Sequence, residues 1–193
     1  MNKRLDIQKT YKLYINGKFP RTESGRYFPV NDKDGNLFGN ICRASRKDFR
    51  EAVKAARKAV CGWSSRTAFN RGQILYRTAE TLEGRKEQFI QELITFGVPQ
   101  KNAANEVETA LDRLVYYAGW ADKYQQIFSS VNPVSSSHYN FSVPEYQGVI
   151  ALIAPADNPL LGLVSLIAPA LAGGNTVFCL ASETWPLSAI SFG

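Results

Sequence analysis

The sequence predicts an α/β fold in which an N-terminal hairpin and helices are followed by the start of a parallel, Rossmann-like sheet that is incomplete. Two observations lead to this prediction. Amphipathic helical patterns fill most of residues 45–124. Beyond residue 148, two continuous apolar runs at residues 149–154 and 176–180 flank a helical segment, and parallel strands covered on both faces require such runs.

The first segment has the pattern of a strand that ends in a tight turn. Residues 11–15 are rich in β-forming side chains and are followed by Asn16 and Gly17, a pair that readily takes two positive φ angles. Residues 26–30 and 37–41 then flank a second turn around Gly35. The chain should therefore open with a hairpin and two further strands.

Four helices should follow these strands. Ser45 is placed as an N-cap with Asp48 three residues later, and this helix should end near Cys61 and Gly62. Its apolar stripe comprises Phe49, Ala52, Val53, Ala56 and Val60. Further helical patterns cover residues 67–82, 86–96 and 102–124. We expect Gly84 and Gly97 to close two of them in the left-handed conformation, and we expect the last one to bury Val107, Leu111, Leu114, Val115 and Ala118.

A polar loop separates the helices from the apolar C-terminal third. Residues 132–137 are rich in serine, proline and asparagine, and alternation then places Tyr139, Phe141 and Val143 on one face of a half-buried strand. The pattern divides the chain into residues 1–131 (strands and helices), 132–147 (a linker with a strand) and 148–193 (the first strand-helix-strand unit). The family resemblance described below implies that the first segment belongs to a nucleotide-binding domain and that the strand of the second is of an oligomerisation type.

Composition and charge exclude several classes of protein. The net charge is +6, but acidic and basic residues interleave along the predicted helices, so we expect no nucleic-acid partner. The longest apolar stretch, residues 159–174, is shorter than the roughly 20 residues that cross a bilayer, so we expect no membrane partner. Residues 1–6 are charged, which favours the cytoplasm over a secretory route.

The thiols and the single histidine give no metal site. Cys42, Cys61 and Cys179 are widely spaced and odd in number, which favours reduced, buried thiols over disulfides or zinc. His138 lies in a polar segment and should be a surface residue, with a general base as the less favoured alternative. Ligands of parallel sheets bind beyond the carboxyl ends of the strands, so a site is expected at residues 155–158 and 181–184. The usual G-x-G-x-x-G fingerprint is absent after Ala154.

Several segments together resemble one family. Residues 148–159, 167–172 and 174–177, with Ser182-Glu183 and Pro186-Leu187, are similar to the start of the nucleotide-binding domain of aldehyde dehydrogenases. Upstream, residues 13–17, residues 52–59 with Gly62-Trp63, and residues 116–122 resemble the same family in the same order. The resemblance implies an aldehyde dehydrogenase-like fold that binds NAD or NADP without the glycine fingerprint.

The resemblance also implies roles for individual positions. Ala154, Pro155 and Ala156 would contact the cofactor, although the family has a tryptophan where Ala156 stands. The asparagine that holds the reaction's oxyanion would fall at Asp157, where an ionised carboxylate cannot donate a hydrogen bond. Asn158 is adjacent and is a poor substitute donor, because a shift of one residue points a side chain elsewhere.

The adenosine end of the cofactor site is also altered. Glu183 matches the family's ribose-binding acid, with a solvent-exposed loop acid or helix cap as the alternative. Leu180 replaces a ribose-binding lysine and offers no donor. We therefore expect cofactor binding by this chain to be weak or lost.

Three functional hypotheses follow from the resemblance. The favoured one is an N-terminal portion that stops before the family's cysteine nucleophile and has no activity alone, so that its reading frame continues after Gly193. The second is a non-catalytic scaffold that pairs with a catalytic aldehyde dehydrogenase. The third is an active oxidoreductase, either alone or completed by another chain. The changes at Ala156, Asp157 and Leu180 resemble the degenerate second copy of two-module aldehyde dehydrogenases.

Residues 139–143 (Tyr139 to Val143) would bind another subunit of a homo-oligomer or a C-terminal portion.

Overall fold

The computed structural model describes residues 8–193 and has the α/β architecture that the sequence predicts. The expectation drawn from residues 1–6 lies outside the described residues. The strands are β1 (Thr10–Tyr11), β2 (Tyr27–Asn31), β3 (Leu37–Cys42), β4 (Ser130–Val131), β5 (Phe141–Ser142), β6 (Val149–Ile153) and β7 (Thr176–Leu180). The helices are α1 (Arg46–Ser64), α2 (Ala68–Gly84), α3 (Lys86–Thr95), α4 (Gln100–Trp120), α5 (Tyr124–Phe128), α6 (Pro159–Ala172) and α7 (Pro186–Phe192).

The N-terminal sheet has the order β1-β3-β2, with β3 parallel to β1 and antiparallel to β2. The predicted tight turn is confirmed, because Asn16 and Gly17 have φ angles of 55° and 69° and Ile15 pairs with Lys18 across it. The strand before this turn is much shorter than predicted. Only Thr10 and Tyr11 join the sheet, and they pair with β3.

The start of α1 follows the predicted capping box. The Ser45 hydroxyl accepts hydrogen bonds from the backbone N–H groups of Lys47 and Asp48, and the Asp48 carboxylate accepts one from Ser45 N at 2.7 Å. The helix runs two residues beyond its predicted end at Gly62. It does so because Ser65 N still donates to Cys61 O and completes another turn.

Two helix ends differ in how they use glycine. Gly97 takes a φ of 98° after α3, as predicted. Gly84 stays helical, so the predicted left-handed cap at that position is wrong. Arg85 N donates to Leu82 O and α3 begins at Lys86, so the chain passes from α2 to α3 without a left-handed residue.

The core lies between α2, α3, α4 and α6. Its fully buried members with the largest side chains are Leu75, Phe89, Leu93, Val107, Leu114, Leu160 and Val164. Phe49 and Val115 were predicted to be buried but are 57% and 45% exposed. The predicted apolar stripes are therefore only partly covered.

The parallel pair β6–β7 forms the C-terminal sheet. It is in register from Val149 opposite Thr176 to Ile153 opposite Leu180, as the predicted strand-helix-strand unit requires. Both α1 and α6 pack against it. The Thr176 hydroxyl donates to Ala56 O of α1 at 2.9 Å, which fixes the start of β7 on that helix.

The β4–β5 hairpin, residues 130–142, lies outside the buried core. Its strands pair antiparallel, with Val131 opposite Phe141. The prediction of a half-buried strand is wrong, because Tyr139 and Phe141 are 82% and 63% exposed. Within residues 8–193, no helix combines the length and apolarity needed to span a membrane. The cytoplasmic location stays a prediction.

Candidate functional site

The two predicted site loops lie side by side at the carboxyl ends of β6 and β7. Ala154 N donates to Leu180 O at 2.9 Å, so the ladder continues one residue past β6 and joins the loops at their bases. This edge is where parallel α/β sheets bind their ligands. The fold thus brings Ala154 and Leu180 together, 26 residues apart in the sequence.

The first loop presents backbone and small side chains to solvent. Ala154 is buried, whereas Pro155, Ala156, Asp157 and Asn158 are exposed. Asn158 adopts the left-handed conformation, with φ 48° and ψ 64°, and its side chain does not cap α6. Its carbonyl accepts a hydrogen bond from Gly162 N at 2.7 Å and so starts the helix.

Asp157 stands where the family resemblance expects an amide donor. Its carboxylate is exposed and has no hydrogen-bond or ion-pair partner among the described residues. An ionised carboxylate accepts hydrogen bonds only, so Asp157 cannot stabilise an oxyanion in this state.

Gly162 allows the loop to pack on α6. A Cβ atom at this position would lie 2.2 Å from Pro155 Cγ and 3.0 Å from Pro155 Cδ. The first turn of α6 can therefore approach Pro155 only because residue 162 has no side chain. A single glycine inside an apolar helix was the available sequence signal, and the sequence-based prediction did not use it.

Glu106 of α4 is a second residue that the sequence prediction missed. Its side chain is buried, with 4% exposure, and Oε1 accepts hydrogen bonds from Leu160 N at 2.9 Å and Leu161 N at 3.2 Å. The spacing to Ala103 and Ala110 places it on the buried face of α4, which was the available signal. No sequence pattern pairs it with α6, 54 residues further on.

The ionisation of Glu106 reflects two opposing effects. Burial raises the pKa of this carboxyl group, and the hydrogen bonds from Leu161 and Leu160 lower it by less, so the net shift is upward. Its folded-state pKa therefore lies above its unfolded value, and the corresponding contribution to stability diminishes as pH rises through the folded-state pKa.

In the second loop, which follows β7, Ser182 is buried and hydrogen-bonded, whereas the next residue, Glu183, is exposed. Ser182 is buried, and its hydroxyl accepts a hydrogen bond from Trp185 N at 3.3 Å. Trp185 packs edge-on against Phe96, with ring centroids 5.9 Å apart. Glu183 is exposed and has no hydrogen-bond or ion-pair partner among residues 8–193, so its carboxylate is available to a ligand.

Leu180 gives this edge an apolar surface. It is 60% exposed and lies opposite Ile153, which is 75% exposed. The adjacent pair offers no hydrogen-bond donor from its side chains. This edge therefore has an unpaired carboxylate at Glu183 and no cation at Leu180.

None of the thiols is placed as an activated nucleophile at this edge. Cys179, in β7, is half-buried, and burial raises the pKa of its thiol more than the hydrogen bond with the Ala154 backbone lowers it. Cys42 is buried in β3, and Cys61 is exposed on α1, which corrects the expectation that all three are buried. In the described part of the chain, no group of three or more potential ligands could hold a metal ion.

The fold, together with the loops after β6 and β7, defines a class of protein. A parallel strand-helix-strand unit, with two loops side by side at the carboxyl ends of its strands, is the building unit of α/β folds that bind ligands at this edge. His138 is on the surface, as predicted, with Nδ1 3.0 Å from the Ser136 hydroxyl oxygen.

Comparison with known proteins identifies the family. The aldehyde dehydrogenase family model matches residues 20–193. The chain is 34% identical over 197 residues to the putative aldehyde dehydrogenase DhaS of Bacillus subtilis (strain 168) and 37% identical over 195 residues to retinal dehydrogenase 2 of Gallus gallus. These matches cover 98% of this chain but only 39% and 37% of the relatives. The chain belongs to the aldehyde dehydrogenase family.

A solved structure supports the same assignment. The NAD+ complex of aldehyde dehydrogenase from Bacillus cereus superposes with a TM-score of 0.90 at 28% identity, covering 95% of this chain and 38% of that one. The chain therefore corresponds to the N-terminal part of the family fold, as the resemblance implied.

Proposed function

We propose that this chain is the N-terminal, cofactor-binding portion of an NAD(P)-dependent aldehyde dehydrogenase and that these 193 residues do not oxidise aldehydes by themselves. The observation that carries the proposal is the sheet edge formed by the loops at the carboxyl ends of β6 and β7. It has the family's loops after β6 and β7, but its nearest thiol, Cys179, is half-buried with a raised pKa. Asp157 also replaces the amide donor.

The residues fit a dinucleotide only in part. Glu183 can accept hydrogen bonds from ribose hydroxyls, and the exposed backbone of Pro155 and Ala156 can lie against the cofactor. Leu180 removes the cationic donor that would share the ribose. We therefore propose weak cofactor binding, with the missing interaction at Leu180 as its main cause.

Titration with NAD, followed by tryptophan fluorescence, tests this proposal. Leu180→Lys should tighten NAD binding about tenfold, which corresponds to one hydrogen bond from a charged donor. Glu183→Gln should reduce binding in the same background. Leu37→Lys adds the same charge at an exposed leucine of β3 and should have no effect. No binding by the wild-type chain or Leu180→Lys at millimolar NAD would overturn the cofactor role.

An activity assay tests the second half of the proposal. The purified chain, mixed with NAD and a simple aliphatic aldehyde, should form no NADH. A Cys179→Ala variant serves as the control, because it removes the thiol nearest the site loops. Turnover that disappears in this variant would contradict the assignment of Cys179 as a structural residue.

A second candidate function is favoured by the β4–β5 hairpin. Each strand of this hairpin has one paired edge, and Phe128, Val131 and Phe141 are each more than 60% exposed. We propose that it pairs with a second copy or with C-terminal sequence of an aldehyde dehydrogenase, as a degenerate copy acting as a scaffold would do.

Light scattering coupled to size exclusion separates the two candidates. A scaffold should form dimers or larger species, and Phe141→Lys should dissociate them. Tyr76→Lys changes an aromatic residue of α2 that is 50% exposed and should leave the assembly intact. A monomeric wild-type chain that also fails to bind added aldehyde dehydrogenase would reject the scaffold role.

A further inference from the structure

The N-terminus of α6 is already occupied by a protein carboxylate. In nucleotide-binding α/β folds, the first helix after a site strand often directs its free N–H groups at a phosphate. Here Glu106 Oε1 accepts hydrogen bonds from Leu160 N at 2.9 Å and Leu161 N at 3.2 Å. Pro159, at the first helical position, has no N–H. The backbone N–H donors of this first turn are therefore already hydrogen-bonded to a buried side chain of the protein.

The usual local cap of the helix is missing at the same place. Asn158 precedes α6 in a left-handed conformation, and its side chain makes no capping bond. A residue at this position normally supplies the capping oxygen itself. Glu106 supplies it from α4 instead, and its negative charge also suits the positive end of the helix dipole.

The opposite end of α6 is held in the complementary way. Arg71 of α2 is buried, with 6% exposure, and its Nε donates to Ala172 O at 3.2 Å. A cation at the C-terminal carbonyls suits the negative end of the dipole. The two charged side chains fix α6 at its two ends, but only Glu106 adjoins the site loop.

We propose that Glu106 is a positioning residue for the cofactor-binding loop, residues 154–158. By capping α6 from the core, it fixes the backbone of Asp157 and Asn158. The expected effect of Glu106 on cofactor affinity rests on the proposed function, but its effect on the conformation of the loop does not.

Hydrogen exchange followed by mass spectrometry tests the positioning role in the full chain. In Glu106→Ala, the amides of Leu160 and Leu161 lose their acceptor, and exchange of a peptide spanning residues 156–162 should rise about tenfold. Glu106→Gln keeps an acceptor oxygen without the charge and should give a smaller rise. This second variant decides the question if Glu106→Ala does not fold.

Arg71→Met is the matched control, because it removes the charged cap at the other end of the same helix. It should raise exchange around residues 170–176 and leave residues 156–162 unchanged. Excess formate, compared with chloride at equal ionic strength, should restore slow exchange in Glu106→Ala and do nothing in Arg71→Met. The positioning role would be overturned by two results together. Hydrogen exchange would rise uniformly along the chain in Glu106→Ala or Glu106→Gln, and formate would not restore slow exchange in Glu106→Ala.

NAD affinity is measured separately on the same variants. Glu106→Ala should weaken binding about tenfold, while Arg71→Met should leave it unchanged. If the wild-type chain and Leu180→Lys bind no NAD, the proposed cofactor function fails, and the exchange result still decides whether Glu106 positions the loop.

Discussion

At the scale of single residues, Gly162 shows how strongly the site loop depends on one missing methyl group. Gly162→Ala would place a Cβ atom 2.2 Å from Pro155 Cγ, inside the van der Waals contact distance. The proline ring is rigid, so the backbone of the loop or of α6 has to shift to make room. We expect a loss of about 1–3 kcal/mol in the free energy of unfolding, measured by urea denaturation.

Gly62→Ala is the control for this substitution. Gly62 lies inside α1, and a Cβ there would meet no atom within 4 Å. Alanine in an open helical position should stabilise the protein by about 0.5–1 kcal/mol. Equal changes in both variants would show that helix propensity, and not the contact with Pro155, determines the effect at residue 162.

Asp48 links the N-terminal segment to α1 and gives the fold a defined response to acid. Its carboxylate accepts hydrogen bonds from the Thr22 hydroxyl at 2.6 Å, Ser45 N at 2.7 Å and Glu23 N at 3.1 Å. Burial alone raises the pKa of Asp48, but these hydrogen bonds together outweigh it and hold the pKa below its usual value. The carboxylate therefore stabilises the folded state above its unfolded pKa, and this contribution is lost as pH falls through the folded pKa.

Asp48→Asn should remove this acid response. We expect a loss of about 1–2 kcal/mol near neutral pH, because an amide cannot replace a carboxylate that accepts from several donors. Urea denaturation between neutral and acidic pH should show the free energies of unfolding of the two proteins converging as Asp48 becomes protonated. Asp34→Asn, in an exposed turn, is the control. Parallel pH curves for Asp48→Asn and wild type would contradict the assignment.

The comparison of Asp48 with Glu106 shows what the sequence can predict at this scale. Ser45 and Asp48 are three residues apart, so a helix start brings them together and the capping box follows from the spacing. Glu106 acts on Leu160, and only the packing of α4 on α6 joins them. Local geometry was therefore predictable, whereas the cap assembled from two distant helices was not.

At the scale of elements, hydrophobic periodicity predicted where helices lie better than how deeply they are covered. Phe49 begins the apolar stripe of α1 and packs edge-on against Phe178, with ring centroids 5.2 Å apart, yet it is 57% exposed. Alternation in residues 139–143 likewise predicted a half-buried strand, but the hairpin stands outside the core. Periodicity reports which side chains share a face, and burial also needs a neighbouring element.

The C-terminal end of α6 is joined to α1 by one indole. Trp63 Nε1 donates to Leu171 O at 3.1 Å, across 108 residues of sequence. Trp63→Phe keeps most of the ring but removes the donor, and we expect a loss of about 1–2 kcal/mol in thermal or urea unfolding. The Leu171 carbonyl keeps a hydrogen bond from Gly174 N at 3.0 Å, so the expected loss reflects the missing indole donor and not an unpaired carbonyl.

Trp120→Phe provides the comparison at the end of α4. The Trp120 ring nitrogen makes no hydrogen bond within residues 8–193, although its ring contacts Tyr116. This variant should cost less than Trp63→Phe. The reverse order would mean that ring packing, rather than the bond to Leu171 O, joins α1 to α6.

At the scale of the whole molecule, the buried core crosses the segment boundaries suggested by the sequence. Leu75 of α2, Phe89 of α3 and Val107 of α4 belong to the same buried cluster as Leu160 and Val164 of α6. The helical part and the strand-helix-strand unit thus share one apolar interior. Elements that bury the same surface should unfold together.

Val164→Ala tests this cooperativity, because Val164 is fully buried and lies on the α6 side of the shared core. Removing two carbon atoms should cost about 2 kcal/mol, and α2 to α4 should lose that stability along with α6. Circular dichroism and tryptophan fluorescence should report one shared urea transition, shifted equally. Val134→Ala, at an exposed loop position, should shift it by less than about 0.5 kcal/mol. Two separate transitions, with only the one that reports β6, α6 and β7 shifted, would mean that residues 148–193 are a distinct folding unit despite the shared interior.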